Sequence, residues 1–464
     1  MSTFAVEPSR FSNRQWIRLL LLCTAILFEG MSLSSINVQL AHLQRDIVLR
    51  EDQLSLVSSV FFIAYAGLLL VSGRCADQWG SRRMFMSGIA LFGLGSLGSG
   101  LAEDAAQLIA SRALQGVGAA INAPASFALI VAEFPAGPAR NRAIGIFSAM
   151  GAVGFSSGLA LGGFFTAWFG WRSAFYLYVP LSVLVLAAAP FLLGDSDRFV
   201  KGRIAWLQAL VVTSGLVMVV YAISRFESAR PFVAFTIGVA GAFLVGAFFL
   251  IQARVHDPLI PLPLLADSRV MGASVALAGA FAAVTGAMFS TAISIQNDYG
   301  YSPSDAGLIF LPQGLAVGLL STHAARLADR RSPIQVLLFG LVVVASGQVL
   351  YVLSAAIGYA DRLLPGVLLV GAGIAAAYPA AVMLASAAAG PDEQGVVSGI
   401  LVTSQQFGSA FGAPVATLSG TLLLSARGGE NLAGLWSCVG LAMLTVVISA
   451  ILLTVRPPPV TGVS

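Results

Sequence analysis

The sequence predicts an all-α polytopic membrane protein with fourteen transmembrane helices, and three observations carry that reading. Of its 464 residues, 57% are hydrophobic and 10% charged, with a mean hydropathy of +0.87. A soluble domain of this size covers its surface with about a quarter charged residues. Apolar runs of about 20 residues, the length that crosses a bilayer core at about 1.5 Å per helical residue, follow one another from Trp16 to the turn before Arg456. Finally, Lys201 is the one lysine among the basic residues, and the arginines gather at alternate ends of these runs.

Bounded by charge, proline or glycine clusters, the runs fall near 16–37, 54–73, 84–101, 106–132, 143–167, 173–193, 204–223, 232–251, 271–295, 305–325, 334–354, 364–387, 396–425 and 433–454. They are helices because a lipid-exposed backbone must satisfy its own hydrogen bonds, and they are too long for barrel strands. The first run follows Arg10, Arg14 and Arg18. It is a span and not a cleaved signal, since the next apolar run begins about a dozen residues later.

Orientation follows from the basic residues. With the N-terminus in the cytoplasm, 17 of them face that side (Arg10, Arg14, Arg18, Arg74, Arg82, Arg83, Arg140, Arg142, Arg198, Lys201, Arg203, Arg254, Arg269, Arg326, Arg330, Arg331 and Arg456). Seven face the other (Arg45, Arg50, Arg172, Arg225, Arg230, Arg362 and Arg427). That is a positive-inside bias, and an even number of spans returns the C-terminus to the cytoplasm. A multi-pass protein of the plasma membrane with both termini cytoplasmic is expected, its tails 1–15 and 455–464 too short to be domains.

The stretch GRCADQWGSRR, Gly73 to Arg83, is echoed by ARLADRRSPIQ, Ala325 to Gln335, with Asp77 matched to Asp329 at an offset of 252 residues. Six spans and their loops usually need fewer. Two six-helix halves, 16–193 and 271–454, separated by two inserted helices in 204–251, account for the difference. Repeats of this kind build many secondary transporters, with the substrate site between the halves.

These residues resemble the major facilitator superfamily, in its fourteen-span drug:proton antiporter branch. GRCADQWGSRR is similar to the family's loop signature, carried here by Gly73, Arg74, Asp77, Gly80, Arg82 and Arg83, with a second copy in Arg326, Asp329 and Arg330. RALQGVGAA, Arg112 to Ala120, resembles the family's fourth-span signature. GFSSGLALGG, with Gly154, Gly158, Gly162 and Gly163, resembles the antiporter signature. WRSAFYLYVP, Trp171 to Pro180, and DYGYSPSDAGLIFLPQG, Asp298 to Gly314, look like stretches of the same branch. The sequence departs from the pattern at Leu159, where a proline is usual, at Ser32, where an aspartate is usual, and at Tyr178, commonly asparagine.

The resemblance implies the major facilitator fold, alternating access, and gating by the Asp77 loop. Physically, a carboxylate there can pair with arginine or with a helix start and latch one conformation; an anchoring loop that only fixes topology is the alternative. Glu29 is the acidic residue set deep in a span of the first half. A buried carboxylate finds a cation or takes a proton, which suits proton coupling; a structural pair with Arg112, or a glutamate facing a water-filled crevice, is the other reading. Arg112 and Gln115 share a helix face, and a polar stripe extends toward Asn122. Gly154, Gly158 and Gly162 recur every four residues, which lets another backbone approach.

Ser32, Asn37, Gln115, Asn122, Gln313, Tyr378, Gln405 and Gln406 are candidates to line a cavity for a small amphipathic organic substrate. With no acidic residue in mid-span in the second half, that substrate is expected to be neutral or weakly anionic. The expected partners are this substrate, protons and the lipid bilayer, and no nucleic acid. No cofactor and no metal site are expected: His42, His256 and His323 are scattered, Cys23, Cys75 and Cys438 have no ligand spacing, and GLGSLGSG, Gly93 to Gly100, lacks the lysine and serine of a phosphate loop. No nucleophile, base or metal constellation points to an enzyme. Proton-coupled export of compounds such as antibiotics or secondary metabolites is the leading function. A uniporter or importer of the same fold and a nontransporting membrane binding protein are the alternatives.

Overall fold

In the computed structural model the apolar runs are helical one after another. The described residues are 11–134, 138–194, 206–225, 231–255, 258, 262–357, 360–388, 394–423 and 430–454; residues 1–10 and 455–464 of the expected tails, with Arg198, Lys201, Arg203 and His256, lie outside them. In chain order come α1 Asn13–Asp46, α2 Glu51–Trp79, α3 Ser81–Leu101, α4 Ala105–Glu133, α5 Pro138–Phe169, α6 Trp171–Tyr176, α7 Tyr178–Leu192, α8 Trp206–Arg225 and α9 Pro231–Arg254. After these come α10 Leu262–Ala266, α11 Ser268–Asn297, α12 Pro303–Arg330, α13 Pro333–Ile357, α14 Ala360–Ser386, α15 Gln394–Leu423 and α16 Glu430–Thr454.

Among the described residues, eleven helical segments are long and apolar enough to cross a membrane, and Gln53–Leu69 and Leu210–Ile223 form shorter apolar stretches. The chain is therefore an all-α, multi-pass membrane protein. α15 is not among the eleven, because Thr403, Ser404, Gln405 and Gln406 dilute its middle with polar groups. The sixth run is broken at Leu177 into α6 and α7.

Local sequence sets several boundaries. Ser12 accepts from the backbone of Gln15, whose side chain accepts in return from the Ser12 backbone. Ser302, Pro303 and Asp305 start α12 by the same reciprocal arrangement. Gly80 (φ 90°) alone separates α2 from α3, and Gly170 (φ 80°) alone separates α5 from α6. A side chain is strained at such a φ, which glycine tolerates. The expected loop Gly73–Arg83 is accordingly corrected: Gly73 to Trp79 are the last two turns of α2, and only Gly80 is non-helical. Likewise Arg326, Asp329 and Arg330 belong to the end of α12, which stops just before Pro333 opens α13.

Helix packing repeats itself. α1 lies on α5, α2 on α4 and α3 on α4 in a first group, as α11 lies on α15, α12 on α14 and α13 on α14 in a second. The groups meet along two seams, α5 on α12 and α2 on α15. α8 packs on α9 and rests against α2 and α15, while α9 makes its main contact with α8 and exposes Phe232, Phe235 and Phe243. Gln252 donates to Gln208 at 2.9 Å inside that hairpin.

Candidate functional site

The first group is knit together by missing side chains. A Cβ on Gly154 would lie 2.5 Å from the carbonyl oxygen of Leu27, and one on Gly30 would lie 2.6 Å from that of Gly151. Gly158 and Gly162 close on Met31, Ser34 and Ser35 in the same way. The expected glycine face of α5 therefore belongs to α1. Gly163 and Leu159 instead abut Pro303 and Gly307 of α12, and Ser304 donates to the Gly163 carbonyl at 3.2 Å. One helix thus serves both the interior of a group and the seam between groups. A matching pair in the second group, Gly408 and Gly412 against α11, was not singled out in the sequence although it has the same four-residue spacing.

This packing fixes α1, and α1 carries Glu29 into the seam. Glu29 is buried. Its Oε2 accepts from the Tyr65 hydroxyl of α2 at 2.9 Å, and its Oε1 accepts from Gln406 Nε2 of α15 at 3.3 Å. One carboxylate so takes a donor from each helix group. Tyr65 was missed by sequence reasoning. Its only signal was the i, i+4 spacing to Phe61 within an aromatic stretch.

One turn along α1, Ser32 accepts from Arg112 Nη1 of α4 at 2.7 Å. Arg112 is fully buried and also donates to Gln115 Oε1 at 2.9 Å, and Gln115 Nε2 donates to Ser96 of α3 at 2.8 Å. The guanidinium stands 4.9 Å from the centre of the Phe61 ring, a geometry that stabilises a buried cation. Arg112 Nε and Nη2 have no hydrogen-bond partner. Snorkelling of Arg112 to a membrane surface and its pairing with Glu29 are both corrected, since neutral acceptors hold it within the first group. The Arg112 and Gln115 pairing on one face is as the helical period implies.

Other expected site residues lie elsewhere. Asn37 donates to the carbonyls of Leu33 and Ser34 in its own helix, and Asn122 accepts from Ser126 and packs against Gly88 of α3. In the second group Gln313 accepts from Tyr351 at 3.1 Å, and Tyr378 meets the Phe281 ring edge-on. Gln405 is partly exposed, one residue before the Gln406 that reaches Glu29. Arg82 donates to the Pro190 carbonyl at 3.0 Å, while Arg83, Arg326 and Arg330 are exposed. The side chains of Arg74, Asp77 and Asp329 lie outside the described residues. Among the described residues, no group of three or more His, Cys, Asp or Glu is gathered that would hold a metal ion.

At the end where α1 and α11 finish, the groups are joined again. Arg45 donates to Asn297 Oδ1 at 3.0 Å and Asn297 donates to Gln44 at 3.2 Å. Trp171 donates to Asp46 at 2.9 Å. Beneath them an apolar cluster brings Ile36, Leu40 and Leu43 of the first group against Phe289 and Ala413 of the second. At the opposite end Arg18 pairs with Glu133, and Arg142 sits over the Phe11 and Trp16 rings.

Two helix groups with the same internal packing and a buried carboxylate at their seam are matched by a family model, Major Facilitator Superfamily, over residues 20–292 and 275–464. The chain belongs to that superfamily. It is 35% identical over 464 residues to the cephamycin export protein CmcT of Amycolatopsis lactamdurans, covering 96% of this chain and 95% of the relative. It is 34% identical over 406 residues to the puromycin resistance protein pur8 of Streptomyces alboniger, covering 86% and 80%. The POT family transporter PepTSo superposes with a TM-score of 0.71 at 14% identity, covering 94% of this chain and 97% of that one, which shows the shared fold. The protein is a superfamily transporter of the drug-resistance efflux branch, carrying small organic compounds.

Proposed function

We propose that the protein is a proton-coupled exporter of small amphipathic organic compounds, working by alternating access at the plasma membrane with both termini cytoplasmic. The observation that carries this reading is Glu29, a buried carboxylate whose two oxygens take donors from opposite sides of the seam. A group in that position changes its charge only when water reaches it, and movement at the seam is what admits water. In this reading the spans number fourteen: two six-helix halves, 16–193 and 271–454, with the pair 204–251 inserted at the periphery. The helical runs in these positions and the attachment of α9 through α8 support it.

Relatives whose names describe export of or resistance to cephamycin and puromycin favour antibiotic-like cargo. The interior of α11 to α16 carries no acidic side chain, which favours neutral or weakly anionic molecules over cations. Gln313, Tyr378, Gln405 and Gln406 are the candidates to meet cargo, and Arg112 with Gln115 holds α1 in register beside Glu29. Asp77 and its arginines, with Asp329 in the second copy, serve as the cytoplasmic gate.

The test is efflux from proteoliposomes with and without an imposed proton gradient, for the parent protein and for Glu29→Gln. The parent extrudes substrate only with the gradient. The variant folds, binds substrate and fails to use the gradient. A Glu29→Gln protein that pumps at the parental rate refutes the coupling assignment.

A further inference from the structure

We propose that Gln406 is the positioning residue through which the second helix group responds to the charge of Glu29. The inference rests on the proton-coupled reading of Glu29 and adds to it the element that is moved. A carboxylate only accepts hydrogen bonds, so both of its partners must donate, and both do: the Tyr65 hydroxyl to Oε2, the Gln406 amide to Oε1. The Tyr65 bond lies inside the first group. The Gln406 bond crosses from α1 to α15, between residues 377 positions apart in the chain. A change of charge on Glu29 is therefore felt across the seam through Gln406.

The amide suits this role because it offers both kinds of group. Its Nε2 donates to the carboxylate, while its Oε1 is buried without a hydrogen-bond partner. When Glu29 takes a proton from water, one O–H bond forms on the carboxyl and the group acquires a donor. An amide turned about its last torsion, which is soft and roughly two-fold, then presents Oε1 to that donor. The contact survives in both states but changes in kind. A bond to an ionised oxygen is about twice as strong as a neutral one, so ionised Glu29 holds α15 against α1, and proton uptake loosens the seam. Returning the proton to water restores it.

Among the described residues no second carboxylate competes for this task. The described ionisable side chains facing this region are Tyr65 of α2, Arg112 of α4, Tyr178 of α7 and Tyr378 of α14. α5 between Arg142 and Phe169, α11 between Arg269 and Asn297, α12 between Asp305 and His323, and α15 throughout contribute no Asp, Glu, His, Lys or Arg. Arg112 is engaged with Ser32 and Gln115. Within this shell Gln406 is the second-group side chain that bonds Glu29.

The experiment uses Arg45→Cys with Asn297→Cys as a reporter, since these exposed residues join the groups in the same arrangement that holds the Glu29 to Gln406 bond. The native cysteines Cys23, Cys75 and Cys438 are buried. The rate of cross-linking by a short bifunctional thiol reagent is measured on the full chain in nanodiscs. At high pH, Gln406→Leu is expected to lower that rate by about tenfold and to lower it by a clearly smaller factor, about threefold, when added to Glu29→Gln, where only a neutral bond is lost. Gln406→Glu, which sets two carboxylates against each other, is expected to lower it further at high pH and to recover at low pH, where one proton is shared.

The inference is overturned if Gln406→Leu has no effect beside native Glu29, or has the same effect in the Glu29→Gln background. It is equally overturned if Gln406→Glu shows no recovery with pH. Loss of the protein's monodisperse peak in Gln406→Leu leaves Gln406→Glu, which keeps the side-chain size, to decide. Failure of gradient-driven efflux to depend on Glu29 is a separate result that removes the underlying reading, whatever cross-linking shows.

Discussion

Replacing Gly154 by alanine places a methyl group 2.5 Å from the Leu27 carbonyl oxygen and 3.1 Å from the Leu27 Cα. Both are backbone atoms, so no rotamer change relieves the clash. Ordinary contact begins near 3.4 Å, so α1 and α5 must separate by roughly 0.9 Å along this line. Overpacking of this kind costs about 1–3 kcal/mol, and better helix propensity of alanine returns only about 0.5–1 kcal/mol. A net loss of up to about 2.5 kcal/mol, centred at about 1, is expected, seen as a lower Tm of the purified protein. Efflux falls as well, because Leu27 lies two residues before Glu29 and the bonds to Tyr65 and Gln406, at 2.9 and 3.3 Å, have little slack. Two alanine substitutions in the same helix calibrate the effect. A Cβ on Gly145 meets nothing within 4 Å, and one on Gly151 meets only the Ile26 side chain, at 3.2 Å. Gly145→Ala should match or exceed the parent in Tm, and Gly151→Ala should be close to it. If Gly154→Ala proves as stable and as active as Gly145→Ala, the glycines are not there to admit the α1 backbone.

Tyr65→Phe removes one of two donors to Glu29 without changing the ring, and a bond to a charged group is worth about 1.5–3 kcal/mol; Tm should fall, gradient-driven efflux should fall about tenfold or more, and an unaffected rate means Tyr65 has no part in coupling. Cross-linking Arg45→Cys to Asn297→Cys should stop efflux, and a reagent with a cleavable disulfide spacer should restore it on reduction; full pumping in the cross-linked state would show that this end of the seam does not open. In the α8–α9 hairpin, Gln208→Leu removes the hydrogen bond that the Gln252 amide donates at 2.9 Å and should cost about 0.5–1.5 kcal/mol, seen as a lower Tm; equal stability of the variant and the parent would count against the observed bond.

The parts of the fold that depend on local pattern were legible in the sequence. Apolar runs, the positions of all the long helices, the Arg112 to Gln115 face and the Gly154 to Gly162 face all follow from helical period and bilayer thickness. The end of α2 was not, because charged residues between apolar runs read as a loop whether they cap a helix or leave it, and only the positive φ of Gly80 separates the cases. Glu29 was legible as an isolated acid, but its partners were not: Tyr65 and Gln406 come from α2 and α15, and no spacing rule links residues so far apart. Asn37 and Asn122 illustrate the opposite limit. Polar side chains in a span suggest a lined cavity, yet a short amide can bond its own helix backbone, and Asn37 does so.

α1 joins these observations into one mechanical unit. It is a single helix of 34 residues, about 51 Å long at 1.5 Å per residue, and it carries Glu29, Ser32 and Arg45 at successive levels. Its contact with α5 is backbone against backbone along Leu27, Met31 and Ser35, a close packing that resists bending. A change at Glu29 that alters the hold of Gln406 therefore acts on α1 and α5 together. At Leu159 and Gly163, α5 meets α12 backbone to backbone, against Gly307 and Pro303, a surface along which two helices can slide. In the proposed cycle, loosening at the α2–α15 seam and sliding at the α5–α12 seam would be two views of one rigid-body rotation between bistable packings, and the Arg45 to Asn297 contact at the end of α1 is the bond that such a rotation would have to break.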